Sequence, residues 1–184
     1  MEKSKEALKI LITGESNAVK TYEMFSLKAK EEGYPQIGLL FEVLSKAERI
    51  HIKNHLHALD EDFVPELNEI AIGTTVENLT AAIKGETEES RKLYPRLIKS
   101  IKSECKSEYG KIARLSMTWA QKVEKEHARL LKTALKSLQS GHDISIRGIY
   151  LCQVCGNMVL NELSKEVCDV CGHDSQFFSL LTGE

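Results

Sequence analysis

Two stretches of the 184-residue chain place a Glu and a His three positions apart, Glu48-x2-His51 and Glu124-x2-His127, and the second repeats the first at an offset of 76 residues. Residues three apart on a helix share a face, so each stretch offers a carboxylate and an imidazole side by side. Two further acidic positions repeat upstream, at an offset five residues shorter. Gly14-Glu15 matches Gly85-Glu86, with Tyr22 and Tyr94 downstream of each. Glu89 lies three after Glu86 and can reach the same space as a seventh donor. Carboxylates with two imidazoles are a donor set for a pair of divalent or trivalent metal ions.

A second donor set lies in the tail: Cys152-x2-Cys155-x12-Cys168-x2-Cys171. Each second cysteine is followed by glycine, Gly156 and Gly172. Cys-x2-Cys-Gly spells a tight knuckle whose backbone N–H groups point at a thiolate. Four thiolates at this spacing suit a tetrahedral metal site. Zinc and iron both accept it, and spacing does not separate them. Two disulfides are the competing use, disfavoured in a reducing interior. Cys105 stands alone on a helical pattern and reads as a buried or incidental thiol.

The elements that must position these residues are long helices. Apolar side chains recur at alternating steps of three and four along four segments, about 4–32, 35–59, 75–105 and 108–138. Gly85 and Pro95 mark irregularities in the third. Each stripe carries a Glu near its middle: Glu15, Glu48, Glu86 and Glu124. His55 and His57 have no counterpart in the repeat and read as core-edge and surface residues. A buried bare carboxylate costs several kcal/mol, against a domain stability of roughly 5–15 kcal/mol. No Lys or Arg occupies the matching stripe positions, so cations or protons must neutralise the four. The longer connection between the second and third helices suits a four-helix bundle with one crossover. Ferritin-like di-iron and di-manganese bundles take one Glu from each of two helices and Glu-x-x-His from the other two.

Composition draws the domain boundary. Residues 1–140 hold 44 of the 52 charged residues, whereas 141–184 hold 8, with four of the five Cys and five of the 11 Gly. The expected organisation is a bundle over 1–140, a linker over 141–147 and a small metal-knuckle module with short strands over 148–184. A module that small seldom folds on an apolar core alone. The net charge of −2 implies no broad basic surface, so nucleic acid is not an expected partner. The longest early apolar run, Ile10-Leu11-Ile12, is too short for a signal peptide or a membrane span. The expectation is a cytoplasmic protein without membrane contact.

Taken together, the chain resembles the rubrerythrin family over nearly its whole length. The likeness rests on Gly14-Glu15-Ser16, Tyr22, Lys30-Glu31-Glu32-Gly33-Tyr34 and Glu48-x2-His51 in the first hairpin. In the second it rests on Gly73-Thr74-Thr75-Val76-Glu77-Asn78-Leu79, Gly85-Glu86-x2-Glu89, Tyr94-Pro95 and Glu124-x2-His127. The tail resembles the family's rubredoxin-like domain. Asp169 follows Cys168 where such knuckles usually carry Pro, and Ser90 follows Glu89 where many members carry an aromatic.

The resemblance implies an all-α ferritin-like bundle with a rubredoxin-like tail. It implies a non-haem di-iron centre on Glu15, Glu48, His51, Glu86, Glu89, Glu124 and His127, bridged by Glu48 and Glu124. His51 and Glu89 match a pair that exchanges at one iron with redox state, and Tyr22 and Tyr94 match tyrosines standing behind the ligands. Cys152, Cys155, Cys168 and Cys171 match the ligands of a single iron, with zinc a substitute in either site in recombinant protein. The implied activity is reduction of hydrogen peroxide to water in oxidative-stress defence. Electrons would come from an external donor, a rubredoxin or an NAD(P)H-dependent reductase, and subunits would pair as a homodimer, head to tail. Two other readings fit the residues: a ferroxidase that handles iron with dioxygen, and a non-catalytic zinc-ribbon interaction protein.

Overall fold

The computed structural model describes residues 1–183. Five α-helices, α1 (Glu2–Glu31), α2 (Pro35–Leu59), α3 (Thr75–Glu88), α4 (Tyr94–Ser100) and α5 (Glu108–Gln139), precede three short strands, β1 (Ile149–Cys152), β2 (Met158–Leu160) and β3 (Phe178–Leu181). α3 and α4 are one continuous rod joined by a single π turn over Glu89–Leu93, so the helical part is a four-rod bundle. α1 packs chiefly on α2, and α3 on α5. Residues 60–74 cross from one hairpin to the other without regular structure, held to α1 where the Asn17 side chain donates to the Glu66 carbonyl and accepts from Asn68 N–H.

The helix ends follow local chemistry. Thr74 and Glu77 form a reciprocal capping box at the start of α3. α2 begins with Pro35, whose missing N–H costs nothing there. The next two amides, Gln36 and Ile37, donate to the carboxylate of Asp143, at 2.8 and 3.1 Å. The segment between α5 and β1 therefore caps a distant helix. The third helix ends at Ser100 rather than running to Cys105 as the periodicity predicts. Cys105 sits in a 3-10 turn (Glu104–Lys106), because the Glu104 carboxylate accepts from the Lys3 and Ser4 amides and draws that turn onto the start of α1.

The π turn explains an irregularity of the repeat. Glu15 and Tyr22 are seven apart, but Glu86 and Tyr94 are eight apart. The extra residue is absorbed where Tyr94 N–H bonds to the Glu89 carbonyl, five residues back. Ser90 Oγ donates to the Glu86 carbonyl in the same turn. Pro95, which has no N–H and whose ring would crowd a regular helix, follows directly.

Two apolar clusters fill the bundle, one at each end. One gathers Leu8, Leu11, Ile12, Leu59, Tyr94, Leu97 and Met117. The other gathers Tyr22, Phe25, Phe41, Leu44, Leu79 and Leu131, and continues into Ile149, Leu151 and Met158 of the tail. Along every rod the repeated Glu falls between members of the two clusters. The strands form an antiparallel sheet in the order β2-β1-β3. Among the described residues no helix is long and apolar enough to cross a membrane.

Candidate metal centre

The layer between the apolar clusters is ionisable. Glu15, Glu48, His51, Glu86, Glu124 and His127 are each at most 1% exposed. They converge as two overlapping sets, Glu15, Glu48, His51 and Glu124 in one and Glu48, Glu86, Glu124 and His127 in the other, each with its donor atoms within 4.8 Å of one another. Glu48 and Glu124 belong to both. His51 Nδ1 lies 2.8 Å from Glu48 Oε2 and 2.8 Å from Glu124 Oε1. His127 Nδ1 lies 3.3 Å from Glu48 Oε1, 3.0 Å from Glu124 Oε2 and 3.6 Å from Glu86 Oε2. Each shared carboxylate thus turns one oxygen to each imidazole.

Several of these atoms have no hydrogen-bond partner: Glu15 Oε2, both oxygens of Glu48, His51 Nδ1, Glu86 Oε2 and Glu124 Oε1. Orphaned lone pairs facing one another in a dry interior are costly unless a cation lies between them. Donors about 2.1 Å from one ion at right angles stand about 3 Å apart, which is the spacing observed. The set therefore fits two metal ions. The oxygens that do have partners define the rest. Tyr94 donates to Glu15 Oε1 and Tyr22 donates to Glu86 Oε1, each tyrosine reaching the glutamate of the opposite repeat. Glu15 and Glu86 are left one free oxygen each, which suits a terminal donor, while Glu48 has two, which suits a bridge.

Electrostatics agree. Burial pushes Glu15, Glu89 and Glu124 well above the usual carboxylate range, and neighbouring carboxylates add to it. Burial also acts upward on Glu48, but the charges of His127 and His51 outweigh it and hold that group at about 2. His127 is raised well above the ordinary imidazole value, because Glu48 and Glu86 overcome its desolvation. Five acidic groups around two imidazoles need added positive charge to ionise together.

Glu89 stands outside both donor sets. It is half-buried, at the head of the π turn, facing Gly14 across the α1 side. It lines a surface groove of about 490 Å³ with Gly85, Glu88, Lys92, Leu93 and Arg96. His55, read from the sequence as a core-edge residue, is completely buried. Its partners, Tyr94 and Ser116, lie 39 and 61 residues away in sequence, and no local pattern announces them.

The four tail cysteines converge as expected. Cys152 Sγ is 3.8 Å from Cys171 Sγ, and Cys155 Sγ is 3.6 Å from Cys168 Sγ. Those are edges of a tetrahedron with metal–sulfur bonds of about 2.3 Å. All five thiols are unbridged, which removes the disulfide alternative. Gly156 and Gly172 take positive φ, and their amides donate to the Cys152 and Cys168 carbonyls to close matching knuckles. The first knuckle lies directly on α2. His51 Nε2–H donates to the Cys155 carbonyl at 3.2 Å, and Asn54 Nδ2 donates to the Val154 carbonyl at 2.8 Å. The hydrogen bond on Nε2 orients the His51 ring and leaves Nδ1 to face the carboxylates.

Residues 6–135 match the family model for Rubrerythrin. The chain belongs to the rubrerythrin family. Rubrerythrin-2 of Clostridium acetobutylicum is 34% identical over 163 residues, with 86% of each chain covered. Rubrerythrin of Porphyromonas gingivalis is 29% identical, with 96% of this chain and 88% of that one covered. The fully reduced, all-ferrous structure of nigerythrin superposes with a TM-score of 0.86 at 27% identity, covering 97% of this chain and 86% of that one. Symerythrin of Cyanophora paradoxa, reduced with dithionite, shares the fold at 18% identity, with a TM-score of 0.58, 77% of this chain and 84% of that chain covered. Rubrerythrin membership and the two donor sets make this a di-iron protein of the oxidoreductase class, with a further iron site of four cysteines.

Proposed function

We propose that this chain reduces hydrogen peroxide to water as part of oxidative-stress defence, with Glu15, Glu48, His51, Glu86, Glu124 and His127 holding two irons and Glu89 serving as an exchangeable seventh ligand. The observation that carries the reading is the cross-repeat donor set itself, with its orphaned oxygens and nitrogens, joined to the four-cysteine site through the His51–Cys155 hydrogen bond. The reaction takes up two electrons and two protons per peroxide and releases two waters. A pair of irons supplies two one-electron carriers side by side, and a four-thiolate iron supplies a relay to an external donor such as a rubredoxin or a reductase.

The chain's own residues supply the rest. Glu48 and Glu124, each facing both imidazoles, would hold two ions between them. Tyr22 and Tyr94 hold the terminal carboxylates by one oxygen and keep an O–H at the edge of the centre. The apolar clusters above and below exclude bulk water. The groove at Glu89 gives a molecule as small as peroxide an approach from solvent, and Lys92 and Arg96 at its rim offset the negative charge of Glu88 and Glu89. A half-buried carboxylate at a loosened turn is free to move as the charge of the centre changes.

The test is anaerobic reduction of the iron-loaded protein followed by mixing with peroxide. Rapid oxidation of the colourless ferrous state, seen as the appearance of ferric absorption, with two electrons consumed per peroxide is the expected result. Glu89→Ala is expected to retain most of its iron and lose turnover by about 10²-fold or more. Failure of the reduced wild-type protein to be oxidised by peroxide, with continued uptake of Fe(II) beyond three per chain, would overturn the reading in favour of iron storage.

A further inference from the structure

The two repeats build the same contact twice, a tyrosine donating to the opposite glutamate, but only one of the two is backed by a further polar residue. Behind Tyr94 stands His55, whose Nε2 lies 3.0 Å from the Tyr94 hydroxyl, and behind His55 stands Ser116, whose Oγ lies 2.6 Å from Nδ1. Behind Tyr22 the position related by the 76-residue offset is Leu131, fully buried in the same apolar cluster as Tyr22. His55 is neither in a donor set nor part of the repeated motif.

With Glu15 ionised, as a metal ligand must be, the directions of these hydrogen bonds follow from the Tyr94 hydroxyl. Tyr94 has one hydroxyl hydrogen, and it goes to Glu15 Oε1. Toward His55 the hydroxyl can therefore only accept, so Nε2 carries a hydrogen. Complete burial and the neighbouring His51 charge depress the His55 pKa to about 3, so the ring is neutral and Nδ1 is bare. Ser116 O–H must donate to it. Ser116, His55 and Tyr94 thus form a chain in which every donor points inward at Glu15. A buried imidazole with both nitrogens satisfied in one tautomer cannot let the tyrosine hydroxyl turn away without leaving Nε2–H unpaired.

We propose that His55, set by Ser116, is a positioning residue that locks the Tyr94 hydroxyl onto Glu15 Oε1, so that Glu15 would offer a metal Oε2 alone and leave room for substrate on the His51 side of the centre. Glu86 is held by Tyr22 alone, without such backing. The second half of this statement rests on the proposed peroxide chemistry, in which an open position on one metal is where the substrate must arrive. The lock itself does not.

The test separates the two. With zinc in both sites the protein is diamagnetic, and long-range 1H–15N correlation reports the His55 tautomer directly. We expect a single Nε2–H form unchanged from pH 5.5 to 8.5, and a Tyr94 hydroxyl proton that exchanges slowly enough to be seen. Ser116→Ala should release the tautomer into a mixture, His55→Leu should lose the hydroxyl signal, and His55→Gln, whose amide can donate to Tyr94, should restore it. In the iron-loaded protein, His55→Leu should lower kcat/KM for peroxide on the order of tenfold, and His55→Gln should recover most of it. An Nδ1–H tautomer in the wild type, or a hydroxyl signal indifferent to His55→Leu, overturns the lock whatever the activity. A wild-type protein inert to peroxide but showing the expected tautomer and exchange overturns the peroxidase reading and leaves the lock standing.

Discussion

At the scale of single residues, the centre is a concentration of groups whose proton affinities are driven apart by one another. Glu15, Glu89 and Glu124 bind protons more tightly in the fold than in the open chain, and so do His51 and His127. A group whose folded pKa is raised favours the fold below its unfolded value and loses that contribution as pH rises through the folded value. All five act in this direction, the carboxyls from about pH 4.5 upward and the imidazoles from about 6.5. Glu48 has the opposite sign, since its folded pKa is depressed, and its contribution is lost as pH falls toward about 2. Protein stripped of metal should therefore melt at a lower temperature at pH 8 than at pH 5. Each kcal/mol lost lowers Tm by roughly 2–4 °C in a chain of this size. Iron-loaded protein should show the reverse or no trend over the same window, because bound cations hold the carboxylates ionised. Scanning calorimetry of both forms across that range measures it.

At the scale of elements, the π turn is where the two halves of the bundle stop being copies. It carries one more residue than the matching stretch of α1, and it sits beside Pro95, which a regular helix tolerates poorly. Deleting Arg91, an exposed residue of the turn, would close it into α-helix and press the Pro95 ring on the preceding turn. The expected cost is about 3 kcal/mol in urea denaturation of the metal-free protein. Most of it should return when Pro95→Ala is added to the deletion. The long helices were legible in the sequence because their apolar residues keep a 3.6-residue period, and the Glu-x-x-His pairs were legible because three-residue spacing on a helix is a local property. The turn was not, because Glu86 and Tyr94 show only a spacing one residue longer than Glu15 and Tyr22, which does not say where the extra residue goes. Asp143 was equally opaque: its partners, Gln36 and Ile37, are more than a hundred residues away, and a capping carboxylate on a connecting segment looks like any other acidic residue until the fold closes. The role of His55 was lost in the same way.

At the scale of the whole molecule, the tail is seated on the bundle through the first thiol knuckle. Gly156 makes this possible twice over. Its φ of +83° suits only glycine without strain, and a Cβ there would lie 3.0 Å from His51 Nε2 and 3.2 Å from the Ala47 carbonyl. Gly156→Ala should leave the four thiols able to bind metal while lifting the knuckle from α2. Stopped-flow reduction of the two centres, followed through the thiolate-to-iron absorption, should show transfer between them slowed on the order of tenfold, with a stability loss of about 1–3 kcal/mol. An unchanged rate would mean that electrons reach the bundle by another route, such as the tail of a partner chain.

The placement of the ionisable layer between two oily ends reverses the usual pattern of helix fraying. In an ordinary bundle the middle of each rod is its most protected part and the tips open first. Here, once the cations are withdrawn, mutual repulsion is greatest midway along every rod, and the weakest cross-section is a fault line through the waist. Amide hydrogen exchange in chelated protein should accordingly be fastest, among interior positions, around Glu15, Glu48, Glu86 and Glu124, and slow on re-addition of iron. The cations would then act as rivets for the molecule as well as its reactive centre, so that a chain failing to acquire iron would be marked for cleavage at its middle and one that had acquired it would not.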